Sequence, residues 1–264
     1  MKTIVITGGS SGIGAALARH LGREGHNLVL AARRSEQLNA VAHEVESHVI
    51  TVVTDVTRRD DVVRLRDQAL HAFGSIDVWI NNAGRGIARP ALELTDAEFD
   101  EMMAVNVKSA LYGMQTVAPH FIERRQGHII NISSFLGRVP IATHRSAYNA
   151  AKAALNALTA NVRVDLAAKY PGIHVSLIMP GLVSTDFARN AVASSSATAP
   201  AWAPGATGMK PQSAEEVAAA VAGVIERPVA ELFTNPASAG MAQHYFEDVG
   251  AFEESMRAPM ASRG

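Results

Sequence analysis

The stretch Thr3-Ile4-Val5-Ile6-Thr7-Gly8-Gly9-Ser10-Ser11-Gly12-Ile13-Gly14 begins as a short β-branched run and ends in spaced glycines. Thr, Ile and Val in succession suit a strand, and Ala15 to Arg23 beyond them has helical character. Glycines at a strand-to-helix turn let the backbone pass close to a diphosphate, while free amides and the dipole at the helix start favour its negative charge. The spacing is Gly-x-x-x-Gly-x-Gly, from Gly8 through Gly12 to Gly14, rather than the Gly-x-Gly-x-x-Gly of the common dinucleotide fingerprint.

Outward from this turn the same alternation repeats. Thr3 to Thr7, Asn27 to Ala32, Val49 to Thr54, Asp77 to Asn81, His128 to Ser133, His174 to Met179 and Glu231 to Thr234 read as strands, with helix-period segments between them. That order predicts an α/β fold with a parallel sheet covered by helices on both faces. Thr95-Asp-Ala-Glu98 and Ser213-Ala-Glu-Glu216 fit capping boxes and mark two helix starts. No linker or internal repeat interrupts the pattern, so the expectation is one domain over 1–264. Ala193 to Pro211, rich in Ser, Ala, Pro and Gly, reads as a mobile loop.

Composition narrows the functional classes. The 264 residues are 48% hydrophobic, carry a formal net charge of -1 and include no cysteine. The balanced charge gives no reason to expect nucleic acid or an anionic membrane as a partner. Disulfides, thiolate catalysis and cysteine metal sites are excluded. The ten histidines form no His-x-x-x-His pair, and no metal site is expected. No apolar run approaches the roughly 20 residues of a membrane span, nor does the first stretch match a signal peptide. The expected location is cytoplasmic.

Two further features point to chemistry. The second strand ends in Ala31-Ala32-Arg33-Arg34 with no acid before Glu36. In a dinucleotide fold an acid here would hold a ribose 2′-hydroxyl, whereas guanidinium groups suit a 2′-phosphate, so Arg33 and Arg34 favour NADP(H) over NAD(H). Tyr148 and Lys152, four residues apart in an alanine-rich run, would share one helix face. An ammonium near a phenol favours the phenolate, and each unit taken from the usual tyrosine pKa of about 10 is worth about 1.4 kcal/mol. Alone, the pair also fits a packed ring beside a lysine stem.

Taken together, the motifs resemble the short-chain dehydrogenase/reductase family. They are Thr7-Gly8-x-x-x-Gly12-x-Gly14, Asp55-Val56, Asn81-Asn82-Ala83-Gly84, Asn106 in Val105-Asn106-Val107, Ser134, Tyr148-x-x-x-Lys152, and Pro180-Gly181 with Thr185, covering roughly residues 3 to 186. The resemblance implies a doubly wound Rossmann fold with about seven strands in the order 3-2-1-4-5-6-7. It implies a substrate loop around 186–212 and a tail around 236–264. Gly8, Gly12 and Gly14 would surround the diphosphate, with Ile13 giving a backbone contact and Ser10 and Ser11 beside it. Asp55 would bond the adenine amino group and Val56 would pack on the ring. Asn81, Asn82, Ala83 and Gly84 would line the adenosine side. Ile132, Pro180, Gly181, Val183 and Thr185 would approach the nicotinamide end. Ser11 stands where NADP-preferring relatives often carry a basic residue.

The implied reaction is hydride transfer between a nicotinamide and a carbonyl or alcohol carbon. Tyr148 would be general acid or base, and Lys152 would lower its pKa and grip the nicotinamide ribose. Ser134 would hold the substrate oxygen, and Asn106 a water leading to Lys152. Ser134 is chosen over Ser133 because Ser134-Phe-Leu-Gly137 fits the family's Ser-x-x-Gly. Ser134 and Tyr148 are fourteen apart, one more than is usual, which places an extra residue within Arg138 to Ser146. Arg85 to Ala88, Phe135 to His144, Leu182, Phe187 and the Ala193 to Pro211 loop, with Trp202 and Met209 as its cover, would form the substrate pocket. A small carbonyl or alcohol substrate is implied, as is a homotetramer (or homodimer) built through Glu98 to Arg124 and Ser146 to Lys169. Tyr245, Phe246 and Phe252 of the tail would dock on their own domain or on a neighbouring subunit. The rival readings are a non-catalytic NADP-binding sensor or scaffold on the same fold, and an isomerase or dehydratase acting on nucleotide sugars.

Overall fold

A computed structural model describes residues 1–185, 192–193 and 210–261. In chain order the elements are β1 (Thr3–Thr7), α1 (Gly12–Arg23), β2 (Asn27–Ala32), α2 (Ser35–His43), β3 (Val49–Val53), α3 (Arg59–Phe73), β4 (Val78–Asn81), β5 (Ile87–Ala88), α4 (Asp96–Met103), α5 (Ser109–Arg124), β6 (Gly127–Ile132), α6 (Ser146–Ala167), β7 (Ile173–Met179), β8 (Val192–Ala193), α7 (Ala214–Glu226), β9 (Glu231–Phe233), α8 (Pro236–Glu247) and α9 (Val249–Ala261). Seven strands form one sheet in the order β3-β2-β1-β4-β6-β7-β9. Every pairing in it is parallel. This is the expected doubly wound arrangement.

Alternation along each strand divides the core between two faces. Ile4, Ile6, Leu28 and Leu30 point to one face, where they meet Leu17, Leu21, Val217 and Val221 of α1 and α7. Val5, Val29 and Trp79 point to the other, against Leu65 of α3, Val117 and Phe121 of α5 and Leu166 of α6. Burial on both faces explains the continuous apolar runs: β1 and β4 are buried at every position. Both anticipated capping boxes form, at Thr95–Glu98 and Ser213–Glu216.

The helix expected from Glu98 to Arg124 is not continuous. A π-helical turn, Ala104–Lys108, separates α4 from α5, and Asn106 lies in it. Asn106 donates through Nδ2 to the carbonyls of Arg85 (2.9 Å) and Met102 (3.1 Å) and accepts from the Arg85 amide (3.2 Å). A side chain buried to 1% exposure and bonded to a neighbouring loop thus holds the widened turn. Ala193, expected at the edge of a loop, belongs to β8, which pairs in parallel with β5. No helix among the described residues is long and apolar enough to cross a membrane.

Candidate active site

The carboxyl ends of β1, β2, β3, β4, β6 and β7 open onto one cavity of about 630 Å³, where open parallel sheets bind ligands. At its floor, two turns are latched together. Thr7 Oγ1 accepts from the amides of Asn82 (3.0 Å) and Ala83 (3.2 Å), and Asn82 Nδ2 donates to the carbonyls of Thr7 (2.9 Å) and Gly8 (3.2 Å). Gly8 has φ +70, a conformation that side chains disfavour, and a Cβ there would meet Ala83 Cα at 2.9 Å. Gly8, Ser10, Ser11, Gly12 and Ile13 face the cavity above this latch. A bare-backbone cradle at the start of α1 fits a diphosphate.

From the cradle the wall continues both ways. Arg33 and Arg34 line it at the end of β2, and Arg34 donates to Ser11 Oγ at 3.3 Å. Asp55 and Val56 line it at the end of β3, where Asp55 Oδ1 accepts from Thr57. Asn82, Ala83, Gly84, Ile132, Pro180, Gly181, Val183 and Thr185 line its middle, and Ser134, Tyr148 and Lys152 lie at the opposite end from Asp55.

Three expected cofactor or catalytic positions are not in the wall, and from the expected substrate segments Ile87, Ala88, Gly137 to Ile141 and Thr143 are also missing from it. Gly14 is behind the cradle: a Cβ on it would stand 2.3 Å from the Gly8 carbonyl oxygen, so its bareness serves helix-to-strand packing. Asn81 points to the other face of the sheet, where it accepts from Trp79 Nε1 (2.8 Å) and donates to Asn131 (2.8 Å). In a strand, consecutive side chains alternate faces, so Asn81 and Asn82 could not both face the cavity. Asn106 stands behind Gly84, whose Cβ would lie 2.9 Å from Asn106 Oδ1.

At the chemical end, Tyr148 and Ser134 share a side-chain hydrogen bond. Ser134 also accepts from the Leu136 amide (3.1 Å), opening the short turn Phe135–Gly137. Ser133 is turned away and donates to Asn156 Oδ1 at 2.5 Å. Gly137 explains the Ser-x-x-Gly spacing: a Cβ there would sit 2.8 Å from the Lys152 carbonyl carbon, so only glycine lets this turn rest against α6.

Burial pushes the Tyr148 phenol above its ordinary value, while the Ser134 hydrogen bond and the Arg145 charge pull it down less strongly. Burial also draws the Lys152 ammonium down to about 8. Lys152 Nζ stands 5.6 Å from the Tyr148 ring centroid and donates to the Ile132 carbonyl at 2.9 Å. Lys152 is not among the groups that pull the Tyr148 phenol down, and its ammonium serves as a buried donor to the end of the strand that leads to Ser134.

Of the segments expected to meet substrate, Arg85, Gly86, Phe135, Leu136, Ala142, His144 and Leu182 line the cavity, and Arg145 lines it with them. Burial and the Arg145 charge hold His144 below its ordinary value. Arg145 falls inside the Arg138 to Ser146 segment, and its one signal in the sequence is a basic residue immediately before a long helix. Tail residue Phe252 is 5% exposed and joins a cluster of Phe135, Val139 and Tyr148 in its own chain. Tyr245 meets it edge-on at 5.3 Å. Phe187, Trp202 and Met209 lie outside the described residues. No metal-binding cluster occurs among the described residues.

Comparison with known proteins agrees with the fold. The family model described as short chain dehydrogenase matches residues 2–196. An uncharacterized oxidoreductase of Staphylococcus aureus is 38% identical over 185 residues, covering 70% of this chain and 79% of the relative. One from Staphylococcus epidermidis is 34% identical over 184 residues, with the same coverage. Among solved structures, a short chain dehydrogenase/reductase from Burkholderia phymatum in complex with NAD superposes with a TM-score of 0.86 at 27% identity, covering 95% of this chain and 94% of that one. An alcohol dehydrogenase from Thermococcus sibiricus, complexed with 5-hydroxy-NADP, gives a TM-score of 0.76 at 28% identity, covering 89% and 96%.

Proposed function

Because the chain belongs to the short-chain dehydrogenase/reductase family, a family of oxidoreductases, we propose that it moves a hydride between NADP(H) and the carbon of a ketone, aldehyde or secondary alcohol. The observation that carries this reading is the hydrogen-bonded Ser134–Tyr148 pair, buried at the far end of a cavity that begins at a glycine cradle. The bound nicotinamide supplies the hydride. Gly8, Ser10, Ser11, Gly12 and Ile13 hold the diphosphate, Asp55 and Val56 the adenine, and Ile132, Pro180, Gly181, Val183 and Thr185 the nicotinamide end. Arg33 and Arg34 take the 2′-phosphate, since no carboxylate ends β2 and guanidinium pairs well with phosphate oxygens.

Tyr148 gives its phenolic proton to the substrate oxygen during reduction, while the Ser134 hydroxyl donates to the same oxygen and stabilises developing alkoxide. A phenol held above its ordinary value stays protonated at neutral pH, the form reduction needs. Lys152 binds the ribose hydroxyls of the nicotinamide. Asn106 acts through its neighbours, fixing the Arg85 backbone beside Gly84. The whole chain is taken as one oxidoreductase domain, assembled as a homotetramer or homodimer.

The test is a panel of ketones, aldehydes and secondary alcohols followed by NADPH absorbance in wild type and Tyr148→Phe. Turnover disappears in the variant while calorimetric NADPH binding persists; a variant that keeps full turnover refutes the role of Tyr148.

A further inference from the structure

Resting on the hydride-transfer reading, we propose that Arg145 is an anion-binding residue of the substrate pocket, and that the substrate is a carbonyl compound bearing a carboxylate. The arginines near this end of the cavity differ in one respect. Arg85 is paired with Glu101, Arg89 with Glu98 (2.8 Å) and Arg138 with Glu231 (2.5 Å). Arg145 has no side-chain partner among the described residues, although its side chain lines the cavity beside Tyr148. The sole carboxylate in the described wall is Asp55. It lies at the end of β3, four strands from β6 and thus about 19 Å away across the sheet.

The position of Arg145 runs against local physics. It is the N-cap residue of α6, a helix of 22 residues, where a positive charge faces the positive end of the helix dipole. Helices α4 and α7 begin with capping boxes and acids in the first turn. Helix α6 has neither a side-chain cap nor an acid there. The uncapped helix start and the guanidinium therefore add, giving a positive locus with no carboxylate on it among the described residues. A local conflict of this kind, placed in a cavity, is the expected mark of a binding role.

The locus is also built to stay in place. The Arg145 amide donates to the Ala142 carbonyl (2.8 Å), its carbonyl accepts from the Asn149 amide (2.9 Å), and Asn149 Nδ2 donates to the same Ala142 carbonyl (3.0 Å). Arg145 further forms an isolated bridge with Arg89, whose carbonyl accepts from Ser146 Oγ at 2.8 Å. Phe135, Leu136 and Ala142 keep the surroundings apolar, where an ion pair is screened less than in water. The planar fork of a guanidinium matches the two oxygens of a carboxylate. A ketone held at Ser134 and Tyr148, with its carboxylate on Arg145, is bound at two points and so oriented for transfer.

The experiment compares oxo acids that differ in the spacing between ketone and carboxylate, each against its methyl ester, in wild type, Arg145→Lys and Arg145→Met. In wild type at least one acid exceeds its ester in kcat/KM, and Arg145→Met lowers that acid-to-ester ratio by roughly 10- to 100-fold. Arg145→Lys, which keeps the charge but loses the fork, gives an intermediate ratio. Ester preferred or equal at every spacing, or a ratio indifferent to Arg145→Met, overturns the assignment. A parallel calorimetric titration of acid and ester into the NADPH-loaded proteins needs no turnover. If neither compound reacts, the hydride-transfer reading fails, and the subsite stands or falls on whether wild type binds the acid more tightly than Arg145→Met does.

Discussion

Lys152 and Ile132 are joined by a hydrogen bond of 2.9 Å from the buried ammonium to a main-chain carbonyl at the end of β6. The bond ties the helix that carries Tyr148 to the strand that leads to Ser134. It also means that folding buries a charge, for Lys152 is 3% exposed, and burial lowers its pKa from 10.5 to about 8.

A pH dependence of stability follows from that burial. Below about 8 the lysine is protonated in both folded and unfolded chains, and the folded one bears the desolvation cost. Between about 8 and 10.5 the folded protein has released its proton while the unfolded chain still holds one, so this contribution raises stability as pH increases. Its full size is on the order of 3 kcal/mol. Urea denaturation of wild type and Lys152→Met across this interval isolates it, because the other titrating groups are common to both. The stability of wild type relative to the variant rises with pH; a constant difference would mean that Lys152 keeps an ordinary pKa.

Asn106 gives a second prediction. Its amide satisfies the Arg85 amide, the Arg85 carbonyl and the Met102 carbonyl in a site closed to water. Asn106→Ala leaves these groups unpaired and is expected to cost about 2–4 kcal/mol. Asn106→Asp replaces a donor of two hydrogen bonds with a carboxylate facing two carbonyls, and should be at least as harmful. Urea midpoints of both variants measure the effect, and a loss in Asn106→Ala within about 0.5 kcal/mol, typical of a neutral surface change, would show that the π turn does not depend on it.

Gly137→Ala tests the contact beneath Ser134. The added Cβ would lie 2.8–2.9 Å from the carbonyl carbon and oxygen of Lys152, which are helix backbone and cannot step aside. The expected cost is about 1–3 kcal/mol, together with a looser Ser134–Tyr148 pair. Since the Ser134 bond lowers the Tyr148 pKa, ultraviolet titration of the phenol should move upward in Gly137→Ala, as in Ser134→Ala. A phenol that titrates as in wild type would mean that the turn absorbs the methyl group without moving Ser134.

The same contact shows what the sequence could and could not disclose. The family's Ser-x-x-Gly pattern selected Ser134, because it recorded a constraint between a turn and a helix whose physical cause, the approach of Gly137 to Lys152, is visible only in three dimensions. The central strands were legible because β1, β4 and β6 are buried at every position and so carry long apolar runs, while β-branched residues marked the less buried edge strand β3. The break at Ala104–Lys108 was not, since the residues of a π turn are ordinary helix formers and the widening depends on a bond from Asn106 to the Arg85 loop. Asn81 was misplaced because a dipeptide of identical residues conceals that alternate strand positions face opposite sides. The placement of Tyr148 and Lys152 on one helix face followed from spacing, whereas the burial that acts on both groups did not, because helical periodicity carries no information about desolvation.

Cofactor choice supplies the last prediction. Arg33 and Arg34 line the cavity at the end of β2, and Arg34 reaches Ser11 at 3.3 Å, so a guanidinium already stands beside the glycine cradle. A 2′-phosphate brought to this corner meets positive charge and no carboxylate from β2, whereas a 2′-hydroxyl finds no acid to accept its proton. The double variant Arg33→Ala with Arg34→Ala should therefore weaken NADPH binding by roughly 10- to 100-fold, as expected for lost charge-assisted hydrogen bonds, and leave NADH much less affected. Calorimetry with both cofactors measures the split. Added salt should narrow it in wild type, since Arg34 is exposed and its attraction for phosphate is screened over about 8–10 Å at physiological ionic strength. Equal losses for the two cofactors would show that the arginines serve the turn itself rather than the phosphate.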